Sequence, residues 1–202
     1  MDIIGILVLV ISFFFLLVVG VPVAYSIGVA GILTMLVNID SLPALTTYAM
    51  RMASGLDSFA LLAIPFFILA GNIMNSGGIA LRLIDFAKVL VGRLPGGLAV
   101  VNVVANMLFG AISGSAAAAA SAIGSIMTPE MKKAGYDPNF SAAVNISSAT
   151  TGMTIPPSNV LIVYSLASGG VSVSALFMAG YLPGILTGVA IMIVAAMFAA
   201  RK

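Results

Sequence analysis

Apolar runs alternate along the chain with short polar or Gly/Pro punctuation. Ile3 to Val19 is the first run, long enough to cross a bilayer, for which about 20 residues suffice. Gly20-Val21-Pro22 closes it, and Val23 to Ile39 forms a second run. Asp40 to Ser58 mixes apolar positions with Pro43, Arg51 and Asp57 and suits a segment lying at a membrane interface. Phe59 to Met74 reads as a third span, with a kink or break expected near Pro65. A loop follows at Asn75-Ser76-Gly77-Gly78.

The pattern then changes. Ile79 to Leu94 sets Arg82, Asp85, Lys88 and Arg93 among Leu81, Leu83, Ile84, Phe86, Val89, Leu90 and Val91. This is an amphipathic helix, better lying on a membrane than crossing it; it serves either as a surface anchor or as a lever. Leu98 to Ile112 and Ala116 to Met127 are apolar but short, and Ser113-Gly114-Ser115 joins them. Two half-length helices with a small-residue tip predict a re-entrant hairpin, which ends at Thr128-Pro129-Glu130-Met131-Lys132-Lys133, with the lysines in a loop-like stretch. Phe140 to Thr151 and Asn159 to Ala167 flank Gly152 to Ser158, a Gly/Pro break that marks a discontinuous helix. Ala175 to Ala200 is a last span, followed by Arg201-Lys202.

The expected class is therefore an all-α integral membrane protein, with multiple spans, one re-entrant hairpin and one discontinuous helix. Residues 1–97 would form scaffold spans and an amphipathic arm, and 98–170 a transport element: hairpin 98–133 and broken helix 138–168. Residues 171–202 would form the last span. Composition agrees: 61% of the 202 residues are hydrophobic and only 7% charged, against roughly 25% charged in soluble domains. So few charges cannot wet the outside of a soluble fold. The Met-Asp start lacks a basic region before its apolar run and reads as a retained span.

Cysteine, histidine and tryptophan are absent, which removes disulfides, the usual zinc ligands and the commonest general base. Asp2, Asp40, Asp57, Asp85, Glu130 and Asp137 are scattered and form no acid/base pair. An enzyme is not expected, nor a nucleic-acid partner. Arg82, Lys88, Arg93, Lys132, Lys133, Arg201 and Lys202 fall on one side of the expected layout and only Arg51 on the other. The crowded side is then cytoplasmic. Five crossings start outside and end inside, so a second copy attached at Lys202 would insert upside down, as in inverted-repeat transporters.

Unwound backbone at membrane depth survives only where something satisfies its polar groups. Helices ending near Ser113 and Thr151 present free carbonyls, which with Ser and Thr hydroxyls suit a small hard cation. Helices starting near Ala116 and Ser158 present free N–H groups, which suit an anion such as a carboxylate. Ser141, Asn145, Ser148 and Gly152 share a helical face, as do Asn102, Asn106 and Ser113; Ser121 and Ser125 lie one turn apart. Small residues also recur wherever membrane helices pack closely, so Ala116 to Ala120, Gly110 and Gly124 serve equally as a packing face. Asn102 and Asn106 serve equally as interhelical glue.

Phe109 to Ala116 (FGAISGSA), Thr128-Pro129-Glu130-Met131, Gly135-Tyr136, Ile155-Pro156-Pro157-Ser158 and Ile64 to Gly71 (IPFFILAG) occur in the order found in one transporter family. The chain resembles the large membrane (M) subunit of tripartite ATP-independent periplasmic (TRAP) transporters, through essentially its whole length. The resemblance implies an elevator-type mechanism and Na+-driven uptake of organic acids: C4-dicarboxylates, sialic acid or other sugar acids. It implies a periplasmic substrate-binding protein and a small four-helix membrane subunit as partners, and a bacterial inner-membrane location. Carried over by motif, the sodium ligands would be Ser113 and Ser115 with Gly152, Met153 and Thr154, while Pro156 and Pro157 hold the break open. Gly114, Ala116, Asn145, Ser148 and Ser158 are the candidates for the carboxylate substrate. The family's large subunit is roughly twice as long, so the second half, with its own hairpin and broken helix, would be a further partner, and this chain alone would not transport. A pore subunit built on the same hairpin, or a scaffold that does not transport, are the competing readings.

Overall fold

The computed structural model describes residues 3–57 and 59–200. They fold into ten α-helices and one 3-10 turn, with no strand among the described residues. The helices are α1 (Ile3–Val18), α2 (Val23–Asn38), α3 (Ser41–Leu56), α4 (Phe59–Ser76) and α5 (Ile79–Val91). Then come α6 (Gly97–Ser113), α7 (Ala116–Lys133), α8 (Pro138–Ala149), the 3-10 turn Thr150–Met153, α9 (Asn159–Ala167) and α10 (Val173–Ala200). The expectations for Asp2, Ser58, Arg201 and Lys202 lie outside the described residues. The chain divides into two units, Met1–Ser58 and Phe59–Lys202.

In the first unit α1 packs on α2 and α2 on α3. Polar contacts are few. Tyr48 Oη donates to Gly28 O at 3.0 Å and ties α3 to α2. Asn38 Nδ2 donates to Thr34 O at 2.7 Å and fits against Gly5, where a Cβ would come within 2.6 Å of it. Only Gly5, Ser26, Ala30 and Ala44 are buried in these three helices. The segment predicted to lie at an interface is thus a regular helix, α3.

The second unit is built around α6, whose Val100, Val101, Val103, two asparagines and Phe109 are buried by α5, α7, α8 and α10. The amphipathic helix α5 turns Ala80, Ile84 and Ala87 inward, one face at helical spacing, and leaves Leu81, Phe86, Val89 and Leu90 exposed. It is packed on the hairpin as well as carrying an apolar outer face.

Two expectations need correction. Lys132 and Lys133 are not in a loop: α7 runs through Pro129 and ends with them. Met127 and Met131 are both completely buried. Burying them offsets the roughly 3 kcal/mol that an interior proline costs a helix. Beside them, Lys88 of α5 and Glu130 of α7 form an ion pair at 2.8 Å. Of the kink or break expected near Pro65, the break is absent: α4 runs on through that residue. Among the described residues, only α10 is long and apolar enough to cross a membrane unaided; α1, α2 and α6 are apolar but shorter.

Candidate functional site

Both interruptions read from the sequence are present, and the fold sets them against each other. α6 ends at Gly114, which adopts the left-handed conformation (φ 63°) and donates its N–H to Gly110 O at 2.7 Å. That backbone shape favours glycine. Ser115 is extended and caps α7, its Oγ accepting from Ala118 N–H at 3.3 Å. Ser113 Oγ accepts weakly from Ser115 N–H at 3.4 Å. The carbonyls of Ala111, Ile112 and Ser113 lie in the last turn of α6, where no intrahelical donor reaches them.

The second interruption starts as α8 tightens into the 3-10 turn Thr150–Met153. Thr154 N–H and Ile155 N–H both reach Thr151 O at 3.1 Å, and Thr154 Oγ1 donates to the same oxygen at 2.8 Å. Pro156 and Pro157, joined by a cis peptide bond, keep the chain out of helix, since neither supplies an N–H. Ser158 restarts it: its Oγ accepts from Leu161 N–H and donates to Met153 O.

The two interruptions touch through backbone. A Cβ placed on Gly110 would lie 2.5 Å from Gly152 Cα, so nothing larger than glycine fits without moving one segment. Ser113 rests on Gly71 of α4, where a Cβ would come within 3.2 Å of Ser113 Cβ. Thr154 O faces Gly180 of α10, 2.6 Å from where a Cβ would stand, and Ile155 faces Gly184. The motif around Pro65, the tip, the break and the last helix therefore meet at one place.

Of the cation candidates, Ser113 and Gly152 are buried, Ser115 and Met153 half-buried, and Thr154 exposed. The hydroxyl of Thr154 and the carbonyl of Met153 already hold hydrogen bonds within the break. Gly114, Ala116 and Ser158, expected near an anion, lie at the tip and at the start of α9.

Asn145 and Ser148 lie elsewhere. They belong to a buried cluster with Asn102 and Asn106, about two turns, or roughly 12 Å, below the tip along α6. Asn106 Nδ2 lies 2.6 Å from Asn102 Oδ1, 3.0 Å from Asn145 Oδ1 and 2.9 Å from Ser148 Oγ. Asn145 Nδ2 donates to Ala120 O at 2.9 Å, reaching α7 over Gly124. These amides lock α6, α7 and α8 together, and their polar atoms are largely used by the fold. Asn106 Oδ1 alone in this cluster is buried without a partner.

One residue at the tip escaped the sequence reading. Asn159, first in α9, presses its amide on Gly114: a Cβ there would be 3.2 Å from Asn159 Cγ and Nδ2. Its Oδ1 is buried with no hydrogen-bond partner, which costs about 1–3 kcal/mol. The signal was available: a carboxamide directly after Pro-Pro-Ser, opening an otherwise apolar helix.

With this geometry in view, the comparisons with known proteins are specific. The profile of the family described as tripartite ATP-independent periplasmic transporter, DctM component, matches residues 10–202. The uncharacterised protein YgiK of Salmonella typhimurium is 60% identical over 190 residues, 94% of this chain and 44% of that protein. The C4-dicarboxylate TRAP transporter large permease protein DctM of Vibrio cholerae is 45% identical over 88% of this chain and 39% of its own length. The sialic acid TRAP transporter large permease protein SiaM of the same organism is 41% identical over 88% of this chain and 41% of its own. The chain thus spans less than half the length of these curated relatives. An all-helical fold among the described residues, two interrupted helices held tip to break, and a family match along nearly the whole chain agree: this chain belongs to the DctM family of TRAP transporters.

Proposed function

We propose that this chain forms the first repeat of a sodium-coupled permease that takes up organic acids across the bacterial inner membrane. The observation that carries the proposal is the backbone contact of Gly110 with Gly152, which sets the end of α6 beside the 3-10 turn after α8. The end of α6, with its last carbonyls and the hydroxyls of Ser113 and Ser115 just beyond it, then lies beside the Gly152 backbone. Neutral oxygens from two such segments suit a monovalent cation. Sodium would bind Ser113, Ser115, Gly152, Met153 and Thr154 and order the tip. N–H groups of Ala116 and Ser158, at the starts of α7 and α9, would then meet a carboxylate, with Gly114, whose own N–H is taken by Gly110 O, leaving room for its approach.

In this reading α6 and α7 are a re-entrant hairpin that enters and leaves by one face. Hairpin and broken helix move as one elevator body, with α5 as the arm that carries it. One charge moving down the membrane potential supplies about 2.3 kcal/mol per 100 mV. The substrate class follows relatives named for C4-dicarboxylates, sialic acid, isethionate and 2,3-diketo-L-gulonate. A periplasmic binding protein would deliver it, a small four-helix membrane subunit would brace the body, and a second half of the permease would complete the pathway.

The test is uptake by proteoliposomes containing the full-length permease that carries this segment. Ser115→Gly keeps most of the capping preference and removes the hydroxyl. It is expected to raise the sodium concentration for half-maximal uptake about tenfold, equivalent to about 1.4 kcal/mol. Normal uptake with unchanged sodium dependence would overturn the cation site.

A further inference from the structure

Resting on the reading just proposed, we infer that the side-chain oxygen of Asn159 is a further ligand of the coupling cation, brought to the hairpin tip by α9. The Asn159 amide rests on Gly114: a Cβ there would lie 3.2 Å from its Cγ and Nδ2. The side chain is half-buried, but its acceptor end is sealed. Oδ1 is closed off from water, and no N–H or O–H among the described residues reaches it. N–H groups of the tip are committed elsewhere, Gly114 to Gly110 O and Ser115 to Ser113 Oγ. In α9, Leu161 N–H goes to Ser158 Oγ. Folding gains nothing from an acceptor held in this way, because a buried acceptor without a partner destabilises. Positive charge or a donor proton would relieve it, whereas an anion would make it worse.

The surroundings favour a metal cation. Beside Gly114 stand the last carbonyls of α6, those of Ala111, Ile112 and Ser113, and the hydroxyls of Ser113 and Ser115. No acidic or basic side chain occurs in 113–116 or 152–159. Ser158, the neighbour of Asn159, donates its hydroxyl to Met153 O and ties the start of α9 to the end of the 3-10 turn. Asn159 thus joins the tip to the far side of the break. An asparagine carbonyl is a regular oxygen ligand of hard cations. Residues 152–154 would supply ligands from before the two prolines and Asn159 one from after them, so an ion held there draws α9 onto Gly114. A carboxamide does this without a fixed charge at membrane depth, and the ion can leave again.

The test is made on the full-length permease that carries this segment, in nanodiscs. Ala117→Cys, exposed in the first turn of α7, serves as its single thiol. Maleimide labelling is followed as sodium replaces choline, and the sodium concentration that half-slows it is read. Asn159→Ala is expected to raise that concentration about tenfold, through loss of one ligand. Asn159→Asp puts a negative charge where the amide oxygen stood and is expected to lower it about tenfold. Aspartate is also favoured at the start of a helix, so the thermal midpoint in choline stays or rises. Opposite shifts distinguish a ligand from a side chain that only packs the tip or only serves the organic acid. Any other pattern overturns the inference, and a rise with Ser115→Gly in the same assay then leaves the cation reading standing. If sodium does not slow labelling before either change at position 159, inference and reading both fall.

Discussion

Residues 3–57 are more apolar than the region from α6 to α9, and the two regions use their apolar side chains in opposite ways. In α1 to α3 no large side chain is fully buried and most face outward, and the polar ties are few, such as Tyr48 to Gly28. In α6 ten of the helix's residues are buried, among them two asparagines and a serine. The first unit needs an apolar surrounding, lipid or a partner, to be stable as a structure. The second encloses its own polar groups. Chemistry that depends on open backbone can be kept only in the second, because there protein, and not hydrocarbon, lines the openings.

Four substitutions sharpen that contrast, from strong to weak. Gly110→Val drives a side chain into Gly152 and should cost about 3 kcal/mol or more, read as loss of folded protein in detergent on heating. Asn106→Leu leaves the oxygens of Asn102, Asn145 and Ser148 short of a donor and should cost about 2 kcal/mol, measured as a lower denaturation midpoint. In the first unit, Tyr48→Phe removes one hydrogen bond and should cost about 1 kcal/mol by the same measurement. A first-unit change as damaging as the two glycine and asparagine changes would erase the distinction. Lys88→Ala comes last. Its pair with Glu130 is about one-third exposed on both sides, so the loss should stay under about 1 kcal/mol, detectable only by a double-mutant cycle with Glu130→Ala.

The helical pattern and both interruptions were legible because glycine, proline and serine act locally: Gly114 allows a left-handed residue, and Pro156-Pro157 forbids helix. The continuation of α7 was not, because Pro129 is a stop signal locally and is overruled by Met127 and Met131, whose burial depends on α6 and α5. Similarly, α5 showed two faces in its sequence, but only packing tells which one meets the hairpin. At the candidate site, residue types identified the neighbourhood. Partners did not follow from them: Asn145 and Ser148 share a face with Gly152, yet their hydrogen bonds join them to Asn106, below the tip. Asn159 was overlooked because nothing in its own spacing announces that Gly114, 45 positions earlier, comes to rest on it.

The meeting of Gly110 and Gly152 has a mechanical meaning. Two main chains in direct contact have no rotamer between them to act as a cushion. A displacement of one strand of peptide is handed to the other undiminished, as between meshed teeth, whereas a leucine at such a joint would absorb part of it by turning about its own bonds.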